Sequence, residues 1–241
     1  MTIFPLFPKT SKPTQDSDQQ EFERQVAERF GLVPNFFRSA PDAPFVVREL
    51  WVFAKSAYLD NPIPTLFKER LFVYLSRFCE VRYCITRHCG FLLGLGHSAG
   101  DAHALPMTVK QVVRLLQRPV PTEESTSAAL ARLEGFAEPF DWPSPETLYD
   151  DDLFIAATVL FLQPARASRA KRALRIALGG EKFELLVGLL TFIRSAHYVC
   201  SAARSSSTSP IVGFVALAFR TECQIIPRIG SRPFGIYHSR S

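Results

Sequence analysis

Between the break at Asn61-Pro-Ile-Pro64 and Cys79, the chain carries a stretch that is apolar on two faces at once. Phe67, Leu71, Tyr74, Leu75 and Phe78 recur at helical spacing, and Phe72 and Val73 add a second face. Such a segment predicts a helix over 65–78 that is buried on most of its sides. Strand-like alternation is hard to find before residue 210, so the expected fold class is all-α, with about seven to nine helices. Ser17 and Gln20 read as a capping box ahead of Phe22, Val26, Ala27 and Phe30, and Gly31 supplies the stop. The residues at 32–37 read as a turn leading into a short helix, and Asp42 or Ala43 opens a longer one through Tyr58. The next helix, 82–95, is closed by Gly94 and Gly96, and a second capping box (Thr108 with Gln111) starts 109–116. Further helices fit 125–137, 151–162, 165–178 (ended by Gly179-Gly180) and 181–202.

The organisation expected is a flexible leader over 1–16, one helical domain over 17–202 and a Ser/Arg-rich tail over 203–241. The net charge of +5 belongs almost wholly to that tail, where five arginines face one acid, Glu222. The body is close to neutral and offers no case for nucleic-acid binding. An odd number of cysteines (Cys79, Cys84, Cys89, Cys200 and Cys223), three of them bunched on apparent helix, is unlike a secreted disulfide framework. The opening apolar stretch is broken by Pro5 and Pro8 and lacks the basic start of a signal peptide. The apolar run at 211–219 includes Gly213 and is far shorter than the roughly 20 residues that span a bilayer. A cytoplasmic protein with no membrane partner is the expectation.

Cys84 and His88 are spaced so that sulfur and imidazole share a helix face, about 5–6 Å apart at Cβ. An imidazole so placed can draw a proton from a thiol and leave a reactive thiolate. The start of a helix favours the same ionisation, and Arg82 and Arg87 would add to the field. Cys84 therefore predicts a depressed thiol pKa. Glu69 shares its helix face with Phe72 and Val73, which argues for partial burial and for a partner, with His88 as the candidate. No Cys-x-x-Cys or His-x-x-x-His spacing among Cys84, His88, Cys89, His97 and His103 fits a zinc site, so neither metal nor cofactor is expected. Tyr83, Cys79, Cys89 and His197 are possible pocket or redox neighbours.

Between Phe30 and about Tyr198 the pattern resembles the alkylhydroperoxidase D and carboxymuconolactone decarboxylase superfamily. Gly31-Leu-Val-Pro-Asn-Phe-Phe37 is similar to its N-terminal motif, Glu69-Arg-Leu with Tyr83-Cys84 and His88 to its core signature, and 180–192 to its C-terminal helix. Peroxidase members carry a glutamate, eleven residues, then Cys-x-x-Cys-x-x-x-His. Here Glu69, Cys84 and His88 match and Val81 stands where the first cysteine would be. The resemblance implies an AhpD-like helical domain in which Cys84 attacks a hydroperoxide, His88 is its base and Glu69 polarises His88 or relays its protons, through a water molecule. It further implies an external thiol reductant and a homo-oligomer, trimer or hexamer. Val81 removes the ordinary intramolecular disulfide. Cys79 and Cys89 each lie five residues from Cys84, a rotation of about 140° on a helix, so neither is an obvious resolving thiol unless the helix breaks between Cys79 and Cys84. Residues 67–84 are also similar to N-terminal modules of bacterial sensor proteins that continue into PAS and histidine-kinase domains. By that likeness the chain would be a stand-alone relative or a truncated sensor.

Each residue has a plainer reading as well. Cys84 reads as an ordinary buried cysteine, His88 as a half-buried helix residue, and Glu69, between Lys68 and Arg70, as a solvated charge. Four functions follow. The first is a peroxiredoxin-type antioxidant oxidoreductase, and the second a redox-sensing module without turnover. The third is a decarboxylase acting on a lactone acid, against which the retained Cys84 and His88 argue. The last is a non-catalytic scaffold.

Overall fold

A computed structural model describes residues 15–95 and 106–202, and within them the fold is all-α with no strand. In chain order the helices are α1 (Gln15–Phe30), α2 (Pro44–Ala54), α3 (Thr65–Phe78), α4 (Arg82–Leu92), α5 (Val109–Gln117), α6 (Glu123–Glu134), α7 (Leu148–Leu162) and α8 (Ser168–Ala202). Short 3-10 turns lie at Asn35–Arg38 and Pro164–Arg166, and a π-helical turn at Lys55–Leu59 prolongs α2. None of the described helices is long and apolar enough to cross a membrane. The leader up to residue 14, the tail at 203–241, Cys223, His97 and His103 lie outside the described residues.

Helix α3 is the expected buried helix, running from Thr65 to Phe78 with every residue from Phe67 to Ser76 out of solvent. It packs against α4, α5, α7 and α8, while α6, α7 and α8 form a second group of mutual contacts. The Thr108–Gln111 capping box is present, Gly31 and Gly94 take positive φ after their helices, and Thr122 and Thr147 cap α6 and α7. Thr147 starts α7 at Leu148, earlier than the expected 151, and Gly135 ends α6 before 137. The Ser17 capping box does not form: α1 begins at Gln15, so Ser17 lies within the helix.

Two clamps around α3 set up the site. Arg70 holds Asp150 of α7 through two hydrogen bonds of 3.0 and 2.8 Å, both side chains buried. Lys68 donates to the carbonyls of Tyr58 and Asn61 at 2.7 Å each. Asn61 in turn donates to the Ala57 and Leu185 carbonyls and accepts from the Ile63 amide. These bonds satisfy the chain where the π-turn ends and the prolines begin. Burial holds the Lys68 ammonium down at about 8, the cost of seating a cation out of water.

Within α8, Gly179 interrupts the helical dihedrals with φ 76° and ψ 174°, as the Gly179-Gly180 pair leads one to expect. The chain re-enters helix at once, and Phe140 N–H bonds to the Ala177 carbonyl beside the break. That backbone conformation is essentially restricted to glycine, and a Cβ at 179 would meet the Pro139 ring at 3.3 Å. Gly179→Ala is expected to cost about 1–3 kcal/mol in urea denaturation. Gly180→Ala, whose added Cβ has nothing nearer than the Arg175 guanidinium at 3.7 Å, is expected to leave the midpoint nearly unchanged.

Candidate active site

Glu69 is not a solvated charge. It sits in the middle of α3 at 2% exposure, and Lys68 and Arg70 beside it are buried too. A carboxylate so far from water needs hydrogen bonds to stay ionised. Its Oε2 lies 2.6 Å from His88 Nδ1 on α4, and its Oε1 accepts from the Tyr58 hydroxyl at 2.5 Å. The Tyr58 oxygen is also 3.4 Å from His88 Nδ1, so the three groups form one closed cluster. Tyr58 comes from the π-turn, a feature that often marks functional positions. Burial first, then the neighbouring Glu69 charge, hold its phenol well above the ordinary value, so it stays a donor.

Three aromatic groups hold the His88 ring. It stacks on Phe72 with ring centres 3.6 Å apart, and meets the edges of Tyr58 and Phe91. With the Glu69 carboxylate ionised, Nδ1 carries hydrogen and Nε2 the lone pair. The Glu69–His88 partnership expected from the sequence is thus present, by direct contact.

Cys84 lies in the first turn of α4 and is buried. It shares with Tyr58, Tyr83, Arg87 and His88 the wall of a cavity of about 60 Å³, otherwise lined chiefly by phenylalanines and aliphatic groups. No hydrogen bond joins its thiol to the His88 ring. Its partner is Cys200, on the last turns of α8, with the Cys84 thiol donating to the Cys200 sulfur across 3.5 Å. That bond, then burial, holds the Cys84 thiol well above the ordinary cysteine value. The expected depression is therefore reversed. A bonded proton and a dry setting outweigh the helix start, and Arg87 instead lays its guanidinium over the Phe91 ring at 4.7 Å.

The other anticipated neighbours divide. Tyr83 lines the cavity, its phenol raised by burial. Cys79, at the end of α3, is half-buried and away from the cavity wall. Cys89 is a packing residue: fully buried, its thiol pushed up to about 12 by desolvation. His197 is also off the cavity, bonded through Nε2 to Ser76 Oγ at 2.7 Å, with its buried Nδ1 unpartnered. Two members of the site, Tyr58 and Cys200, were not anticipated. No group of three or more potential metal ligands is present among the described residues. Compared with family models, curated proteins and solved structures, the chain gives no match.

Two measurements check this description. The alkylation rate of Cys84 by iodoacetamide, followed by mass spectrometry, is expected to keep rising beyond the free-thiol midpoint of about 8.5. Cys200→Ala should move that midpoint downward, because it removes the largest cause of the shift; an unchanged midpoint would contradict the thiol–thiol contact. His197 is held down at about 4, below the ordinary 6.5, by burial. Its stabilising effect is complete above pH 6.5 and is lost as pH falls through 4, on the order of 3 kcal/mol. Acid denaturation of His197→Gln should accordingly be shallower across that interval.

Proposed function

We propose that the protein reduces hydroperoxides with a thiol, in the manner of the alkylhydroperoxidase D-like proteins its sequence resembles. The observation that carries this reading is that Cys84 and His88 of α4 line one small apolar cavity, with Glu69 of α3 bonded to the His88 ring behind it. Cys84 is the sulfur offered to the peroxide. Glu69 holds His88 with Nε2 as the free base, and Tyr58 donates to the second Glu69 oxygen and so fixes the carboxylate.

In the first step the Cys84 proton passes to His88, and the thiolate sulfur attacks one peroxide oxygen. An S–O bond forms, the O–O bond breaks, and the departing alkoxide takes the proton back as an alcohol. Cys84 is left as a sulfenic acid, two electrons oxidised. Two external thiols, or one dithiol, return those electrons: the first forms a mixed disulfide with Cys84 and releases the oxygen as water, and the second frees the Cys84 thiol and leaves as an external disulfide. The apolar wall suits an organic hydroperoxide, with an alkyl group among the phenylalanines.

A second reading is a redox-sensing module that oxidises without turnover. The raised Cys84 thiol and the absence of a vicinal cysteine at Val81 favour it, since both slow a catalytic cycle. Self-association accompanies either reading, as a trimer or hexamer. Phe45 and Val52, seven residues apart on α2, remain 60% and 56% exposed and suit a contact between copies.

Consumption of cumene hydroperoxide in the presence of a dithiol is the deciding measurement. Cys84→Ser should abolish it, and Glu69→Gln and His88→Asn should lower it by about 10²–10⁴-fold, the usual size of acid–base assistance. Oxidation of wild-type Cys84 that stops after one equivalent of peroxide selects the sensing module. Consumption undiminished in Cys84→Ser removes both.

A further inference from the structure

We infer that Cys84 and Cys200 are a redox couple, which close a reversible disulfide between the start of α4 and the end of α8. The sulfurs are 3.5 Å apart and already in hydrogen-bond contact. A disulfide requires about 2.05 Å, so the two side chains must approach by roughly 1.5 Å, within reach of small rotamer and backbone adjustments. The alternative partners are poorer. Cys89 is sealed in the core, its thiol held protonated by desolvation, and Cys79 does not reach the cavity that Cys84 lines. Val81 stands at the N-cap of α4, where a cysteine would have supplied a local partner. Cys200 supplies that partner from a helix more than a hundred residues away in the chain.

The two sulfurs also differ in a useful way. Cys84 is buried at the cavity, whereas Cys200 is partly exposed. Oxidant meets the inner sulfur and reductant the outer one. The role rests on the proposed reading for its oxidant, a hydroperoxide that converts Cys84 to the sulfenic acid. Cys200 then attacks that sulfur. The S–S bond forms, the S–O bond breaks, and hydroxide leaves with the Cys200 proton as water. An external dithiol reverses the step: its thiolate attacks the Cys200 sulfur, Cys84 leaves as thiolate, and the second external thiol frees Cys200. The disulfide would tie α4 to α8 in the oxidised protein and protect Cys84 from further oxidation.

Trypsin separates the partners cleanly, placing Cys84 in the peptide 83–87, Cys200 in 195–204 and Cys79 in 78–82. Reduced full-length protein is treated in one arm with one equivalent of cumene hydroperoxide and in the other with diamide, which oxidises thiol pairs without peroxide. The expected product in both arms is peptide 83–87 linked to 195–204, lost on dithiol treatment. In Cys200→Ser the link should vanish and Cys84 should accumulate as its dimedone-trapped sulfenic acid. A link formed by diamide alone supports the couple and overturns the peroxide reading. No link in either arm, or a link from 83–87 to 78–82 instead, overturns the couple, and dimedone-trapped Cys84 in that case leaves the peroxide chemistry standing.

Discussion

Three consecutive charges in the middle of α3, Lys68, Glu69 and Arg70, are all withdrawn from water, and each must be answered separately. Successive side chains on a helix diverge by about 100°, so the three face different neighbours. Lys68 holds the end of the π-turn, Glu69 holds His88 and Tyr58, and Arg70 holds Asp150. One helical turn thereby sets the positions of α2, α4 and α7. Removal of Asp150 would leave the Arg70 cation buried without its carboxylate, which costs far more than the intact pair gains. The packing of the site follows from this arrangement rather than from the aromatic core alone.

The same arrangement decides the chemistry. The Lys68 clamp fixes the carbonyl of Tyr58, and with it the phenol that reaches Glu69. Phe72, three residues from Glu69 on the same helix, is the surface on which the His88 ring lies. Orientation of the imidazole is thus fixed by its own stack and by a carboxylate that is itself fixed. What the cluster lacks is any direct bond to Cys84. The resting thiol is held by Cys200, and the acid–base cluster and the thiol pair meet only at the cavity wall.

Much of this was legible in the chain, and the failures have a common origin. The limits of α3, the positive-φ glycines at 31 and 94, the Thr108 cap and the break at Gly179 all depend on residues close together, and each is as expected. The contact of Glu69 with His88 was also foreseeable, because a carboxylate sharing a face with Phe72 and Val73 needs a partner. The burial of Lys68 and Arg70 was not, since charges in a row ordinarily mark a wet face and only tertiary partners reverse that. Tyr58 carries no local signal at all, being one aromatic among many near a helix end. Cys200 is hidden by separation along the chain: its contact with Cys84 exists only because the second limb of α8 returns across α4. The reversed Cys84 shift has the same source, for it is caused first by Cys200 and only then by burial.

A protonated, buried thiol beside an oriented base is consistent with a site that is guarded at rest. The Cys84 proton is held first by the Cys200 sulfur and then by burial. On the proposed reading His88 Nε2 is the acceptor, its ring oriented by the carboxylate at Nδ1. On the proposed reading, a peroxide in the apolar cavity would supply the remaining element, because the developing negative charge would leave sulfur for the departing oxygen. Ionisation and attack are then favoured together and disfavoured separately.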